Sequence, residues 1–130
     1  MINTRIIFFF LGVLITFIGF SMIIPYIFEV ILNGNNETNF LISLFFTLSI
    51  GISLIIAFKK KEEKINVKDT ILITALSLPI LVFFSSIPLY LDKNINYFAD
   101  AFFEATSGLT TTGASIYENI NNLSKGILIW

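Results

Sequence analysis

Residues 107–115 read SGLTTTGAS, three successive threonines followed by a glycine. Carbonyl and hydroxyl oxygens are the groups that can replace the water around a dehydrated alkali cation. Thr110, Thr111 and Thr112 each bring one hydroxyl, and as β-branched residues they favour an extended chain. Gly113 can take backbone angles closed to other residues, which lets successive carbonyls point one way. Ala114 and Ser115 are small enough for a neighbouring strand to come close. The chemistry on offer is therefore coordination of a partly stripped cation. A Ser/Thr-rich external loop is the plain alternative, and composition alone leaves both open.

Two acids precede this stretch. Asp100 and Glu104 are four residues apart, hence on one face of a helix. They have no accompanying base or nucleophile. The chain contains neither histidine nor cysteine, which removes the commonest general base at neutral pH, thiolate metal sites and disulfides. No GxSxG, HExxH, CxxC or phosphate-cradling glycine motif is present. The expectation is a protein that is not an enzyme, with no catalytic residues and no cofactor. Asp100 and Glu104 instead tie their helix to surrounding backbone and make its surroundings more negative; direct contact with an ion is the weaker reading.

These residues sit in a chain built for lipid. Of its 130 residues 55% are hydrophobic and only 13% charged, with a net charge of −1; soluble domains run at about 45–50% apolar and ~25% charged. There is no basic stripe for nucleic acid. The apolar run from Ile6 onward is longer than the h-region of a cleaved signal, and no small-residue cleavage site follows it. Three segments are long enough to cross a ~30 Å hydrocarbon core: Ile6 to Leu32, Phe40 to Phe58, and Thr70 to Leu91. Glu29 lies near enough to the end of the first to reach the interface. Pro25, Pro79 and Pro88 read as helix kinks without further meaning.

Loop charge gives the orientation. NGNNETN, between the first two spans, holds an acid and no base, whereas KKKEEKINVKD carries Lys59, Lys60, Lys61, Lys64 and Lys68. The positive-inside rule makes the lysine loop and the N-terminus cytoplasmic. The third span then runs outward. Beyond it, Tyr97 to Ser107 makes only about 16 Å of helix, with Asn96 as N-cap and Gly108 as the left-handed residue that ends it. A helix that reaches halfway must return through non-helical backbone, which lipid tolerates only when protein buries it or water lines it. ILIW at the end opens a fourth helix.

The stretch DAFFEATSGLTTTGAS resembles the first pore loop of TrkH-type membrane subunits of potassium uptake systems, in the Trk/Ktr/HKT superfamily. The order of two preliminary helices, lysine-rich connection, outward helix, pore helix and filter is also similar. Ktr-type relatives generally lack the preliminary helices, which favours the TrkH branch. The resemblance implies an all-α membrane protein of the cell membrane: three transmembrane helices, a re-entrant half-span pore helix with an extended filter loop, and the start of a fourth helix. Residues 1–58 are then the preliminary pair, 59–69 the cytoplasmic loop, and 70–130 the first helix–pore-loop–helix repeat, incomplete at its C-terminal end. It implies that Thr111 and Thr112 coordinate K+, that Gly113 is the filter glycine, and that Thr110 and Ala114 flank them. The implied function is potassium uptake, passive or coupled to another ion, through the first of four filter strands. The implied partners are membrane lipid, a second copy forming a homodimer, and a cytosolic nucleotide-binding regulatory subunit. The family runs through three further repeats, so the chain reads as an N-terminal fragment. The competing reading is a small structural or accessory multi-pass protein with an interfacial helix.

Overall fold

The computed structural model of the chain describes residues 2–32, 34, 36–59, 65–117 and 123–130. They form helices α1 (Thr4–Ser21), α2 (Ile23–Ile31), α3 (Glu37–Phe58), α4 (Val67–Tyr90), α5 (Phe98–Leu109) and α6 (Lys125–Ile129), and no strand occurs among them. Three units are long and apolar enough to span a membrane: Thr4–Ile31, Glu37–Phe58 and Val67–Tyr90. Lys60 to Lys64, the centre of the expected lysine loop, and residues 118–122 lie outside the described residues.

The first span is broken where its sequence requires it. Pro25 has no N–H and its ring would meet the carbonyl of Ser21, four residues back. The helix accordingly ends at Ser21 and restarts at Ile23. At the break the Met22 N–H is shared between the carbonyls of Ile18 (3.2 Å) and Gly19 (3.3 Å), and Ser21 Oγ donates to Ile18 O at 2.7 Å. Pro79 and Pro88, by contrast, are accommodated inside α4. Trp130 Nε1 donates to Ser85 O at 2.9 Å, one turn from Pro88.

Helices that meet in lipid have little hydrophobic drive to associate, so close backbone approach matters more. α1 crosses α3 at such a contact. A methyl on Gly51 would lie 2.8 Å from Thr16 N and 3.1 Å from Gly12 O. Several hydroxyls within the spans bond back to carbonyls of the preceding turn, as Thr16 does to Gly12 (2.8 Å) and Ser53 to Ser49 (2.6 Å), which satisfies them away from water. Thr47 Oγ1 and Ser85 Oγ are buried without a partner among the described residues.

Polar contacts close both ends of the bundle. At the lysine-loop end, buried Asp69 accepts from the N–H of Asn3 (2.8 Å) and of Asn66 (3.1 Å), fastening the N-terminal segment to the start of α4. At the opposite end Glu29 is fully buried, with no exposed surface. This corrects the expectation that it reaches the interface: its carboxyl is held by backbone donors inside the bundle.

Candidate functional site

α5 packs along the second half of α4, with Phe98 against Phe83 and Tyr90. It has 12 residues, about 18 Å of helix, little more than half the depth of a hydrocarbon core. Its bounds differ from those read in the sequence. Tyr97, extended at φ −119°, precedes the first turn and makes no side-chain cap, so Asn96 is not the N-cap. Asp100 stands half-buried in the first turn, where the helix dipole favours an acid. Gly108 lies within the helix, and Thr110 is the residue at its end.

The end of α5 is where the threonines act. The N–H of Thr111 donates to Gly108 O (3.2 Å) and that of Thr112 to Ser107 O (2.9 Å). This is a Schellman closure, with Thr111 in the left-handed slot at φ +56°. Glycine normally fills that slot, and for a β-branched residue it costs about 1–2 kcal/mol. Thr110 and Thr111 are therefore part of a turn and do not extend the chain, contrary to their propensity. Gly113 is also left-handed at φ +74°, so Thr112 stands between two inverted residues. Backbone strain of this kind collects at functional sites. Thr111→Gly is expected to stabilise the purified chain by ~1 kcal/mol, read as a raised melting temperature in detergent; a lowered one would show that the slot is unstrained.

Hydroxyls surround the turn. Thr110 Oγ1 donates to Thr106 O (2.7 Å) and lies 2.8 Å from Thr112 Oγ1; Thr111 Oγ1 donates to Thr110 O (2.7 Å). Residues 110 to 116 are all exposed. Past the turn, residues 112 to 117 adopt neither helix nor strand and are fastened back to α5 twice. Ser107 Oγ donates to Ala114 O at 2.6 Å. Glu104 Oε1 accepts from Ser115 Oγ at 2.7 Å and from the Ile116 N–H, and Ser115 Oγ in turn accepts from Tyr117 N at 3.1 Å. Glu104 thus ties its helix to the return limb. Asp100 makes no side-chain hydrogen bond among the described residues. Burial, with the carboxylates of Asp92 and then Glu104 adding to it, pushes the Tyr117 hydroxyl far above its usual range, so it stays protonated.

The structure therefore gathers Thr110, Thr111, Thr112, Gly113 and Ala114 into one exposed turn and braces it with Glu104. Ser107 and Ser115 complete the brace; the sequence marked Ser115 only for its small size and Ser107 only as the end of the helix, and neither as a brace. Their signal was only that small hydroxyl residues flank the threonines. Behind the loop a cavity of about 650 Å³ opens between α5 and the first span, lined among others by Ile18, Ser21, Leu109 and Trp130.

The family model for TrkH, described as cation transport protein, matches residues 36–130. An uncharacterised cation transporter of Methanocaldococcus jannaschii is 39% identical over 121 residues, which cover 92% of this chain and 25% of that protein. The Trk system potassium uptake protein TrkH of Halomonas elongata is 30% identical over 121 residues, with the same shares of the two chains. The crystal structure of the potassium transporter TrkH from Vibrio parahaemolyticus superposes with a TM-score of 0.89 at 27% identity, over 98% of this chain and 27% of that one. The chain thus spans about a quarter of the length of the relatives it matches. Sequence match and superposition cover the threonine turn and the helices that hold it: this chain belongs to the TrkH family of cation transport proteins.

Proposed function

We propose that this chain supplies the first of four filter strands of a potassium-uptake transporter, with Thr111, Thr112 and Gly113 contributing oxygens to K+ and Thr110 and Ala114 flanking them. The observation that carries the reading is the pair of left-handed residues, Thr111 and Gly113, enclosing Thr112 on an exposed loop. A half-span helix holds that loop from behind through Ser107 and Glu104. A single such strand cannot enclose an ion. The remaining oxygens come from the other repeats of the complete protein, in keeping with relatives about four times as long.

In this reading the N-terminus and the lysine loop face the cytoplasm and the threonine turn faces outward, with residues 1–58 as the preliminary pair and 70–130 as the first pore-loop repeat. The membrane potential draws the cation in with ~2.3 kcal/mol per 100 mV. The family resemblance supports a homodimer of complete subunits and a cytosolic nucleotide-binding regulator. The Glu104 carboxyl ties down the loop, and the relatives are cation and potassium transporters, which supports transport in place of catalysis.

The test uses a chimera in which this chain replaces the matching quarter of Halomonas elongata TrkH. With cysteine at Thr112, an impermeant external thiol reagent is expected to react roughly tenfold more slowly when potassium stands at ~10 times its dissociation constant, by simple occupancy, and sodium gives no such protection. Reaction at one rate in either salt would overturn the site and favour a hydroxyl-rich loop on an accessory protein.

A further inference from the structure

Glu29 is the only charged residue between Arg5 and Glu37, and it is completely buried. Each of its carboxyl oxygens takes a different backbone donor. Oε1 accepts from the N–H of Gly126 at 2.6 Å, and Oε2 from the N–H of Asn36 at 3.2 Å. Gly126 lies in the first turn of α6, the helix that follows the return limb; Asn36 is the residue from which α3 starts.

Two glycines far apart in sequence make room for this one carboxyl. A methyl on Gly126 would fall 2.5 Å from both Cγ and Oε1 of Glu29, and a methyl on Gly34 would overlap Oε2. The space is shaped around the carboxyl from both sides. Asn36 extends the junction, since its Nδ2 donates to Ser124 Oγ and to Asp92 Oδ1, both at 3.0 Å. Four segments therefore meet here: the end of α2, the start of α3, the turn that follows α4 and the start of α6.

The filter loop is strung between α5 and α6. Its near end is fixed within the repeat by Ser107 and Glu104. Its far end is fixed at Gly126 by a side chain from the first span, which lies outside the repeat. We infer that Glu29 is a positioning residue for the filter, and that the preliminary helices serve as an external brace that sets where the return limb ends. This rests on the reading of residues 110–114 as filter oxygens. A displacement at Gly126 would change the distances between those oxygens, and with them the preference between potassium and sodium.

Gln cannot replace this carboxyl. It offers one oxygen where Glu29 offers two, so its NH2 must face one of the two backbone donors. In the chimera, Glu29→Gln is expected to lower the potassium-over-sodium ratio of uptake about tenfold, as the loss of one buried bond and the orphaning of its donor imply. Gly126→Ala, which keeps the glutamate but pushes its carboxyl aside, is expected to give the same fall. The double variant should fall no further, because both changes break one contact. Asp69→Asn removes a buried carboxyl at the opposite end and serves as the control: it lowers the amount of folded protein and leaves the ratio alone. All ratios are taken per mole of membrane-inserted, monodisperse protein.

Uptake of both ions falling in parallel in Glu29→Gln, at an unchanged ratio, would overturn the brace and leave Glu29 an ordinary packing residue. Additive losses in the double variant would overturn it equally. A well-folded parent chimera with no preference for potassium would instead defeat the reading of the filter itself.

Discussion

Replacing Gly113 by serine is expected to reduce the potassium-over-sodium uptake ratio of the chimera by about five- to thirtyfold, while serine at Gly108 leaves it within about twofold. The two glycines make a matched pair. A Cβ at either position meets nothing within 4 Å among the described residues, so neither position is closed to a side chain by a neighbouring atom there. They differ in backbone alone. Gly108 is helical, where a side chain is tolerated and removes some of the entropy cost that glycine imposes. Gly113 has φ +74°, and a side chain there costs about 1–2 kcal/mol. The exposed loop escapes that cost by rotating the backbone at 113 out of the left-handed region, which turns the adjoining carbonyls. Because 1.4 kcal/mol is a factor of ten, even the lower half of that range is visible in a selectivity ratio. Equal ratios for the two variants would mean that the conformation at 113 has no bearing on ion choice.

That contrast also marks how far the sequence could be read. The three spans were legible because apolar runs of sufficient length have one stable outcome in lipid, and the family pattern placed α5 and the threonines in order. Propensity then misled at the turn. Three β-branched residues suggest extension, but a short helix whose last carbonyls need partners closes on itself first, and Thr110 and Thr111 are consumed in the closure. The left-handed residue expected at Gly108 sits instead at Thr111, a position that propensity would have excluded. The hydrogen-bonding need of the helix end overrode side-chain preference at the very residue proposed to bear on the ion.

Glu29 was misplaced for a different reason. An acid four residues from the end of an apolar run has an easy route to the interface, and nothing nearby in sequence contradicts that. Its partner Gly126 is 97 positions away. The only local sign was Gly34, whose purpose depends on the carboxyl it accommodates. Asp100 and Glu104 show the complementary case. Spacing put them on one face, but only the structure separates them: Glu104 is bonded to the return limb, whereas Asp100 stays in the first turn.

Glu104→Ala is expected to cost about tenfold in the same selectivity ratio, and Glu104→Gln no more than about threefold. The difference follows from how the carboxyl is used. Ser115 Oγ and the Ile116 N–H both go to one oxygen, Oε1, and a glutamine amide oxygen can accept both donors. Glu29, which spends each oxygen on a different donor, has no such substitute, so the two Glu→Gln variants should separate although both remove a carboxyl. Alanine at 104 removes the acceptor altogether. Hydrogen bonds to a charged group are worth about 1.5–3 kcal/mol, and partial exposure of this site lowers the figure, which leaves about one factor of ten. The pair of variants also divides two roles for the acid. If Glu104 acted by drawing cations with its charge, glutamine would be as harmful as alanine, and the loss would shrink as ionic strength rose. If it acts by holding Ser115 and Ile116 against α5, glutamine retains most of the ratio and salt has little effect. The geometry, with its acceptor turned onto the return limb, sides with the second.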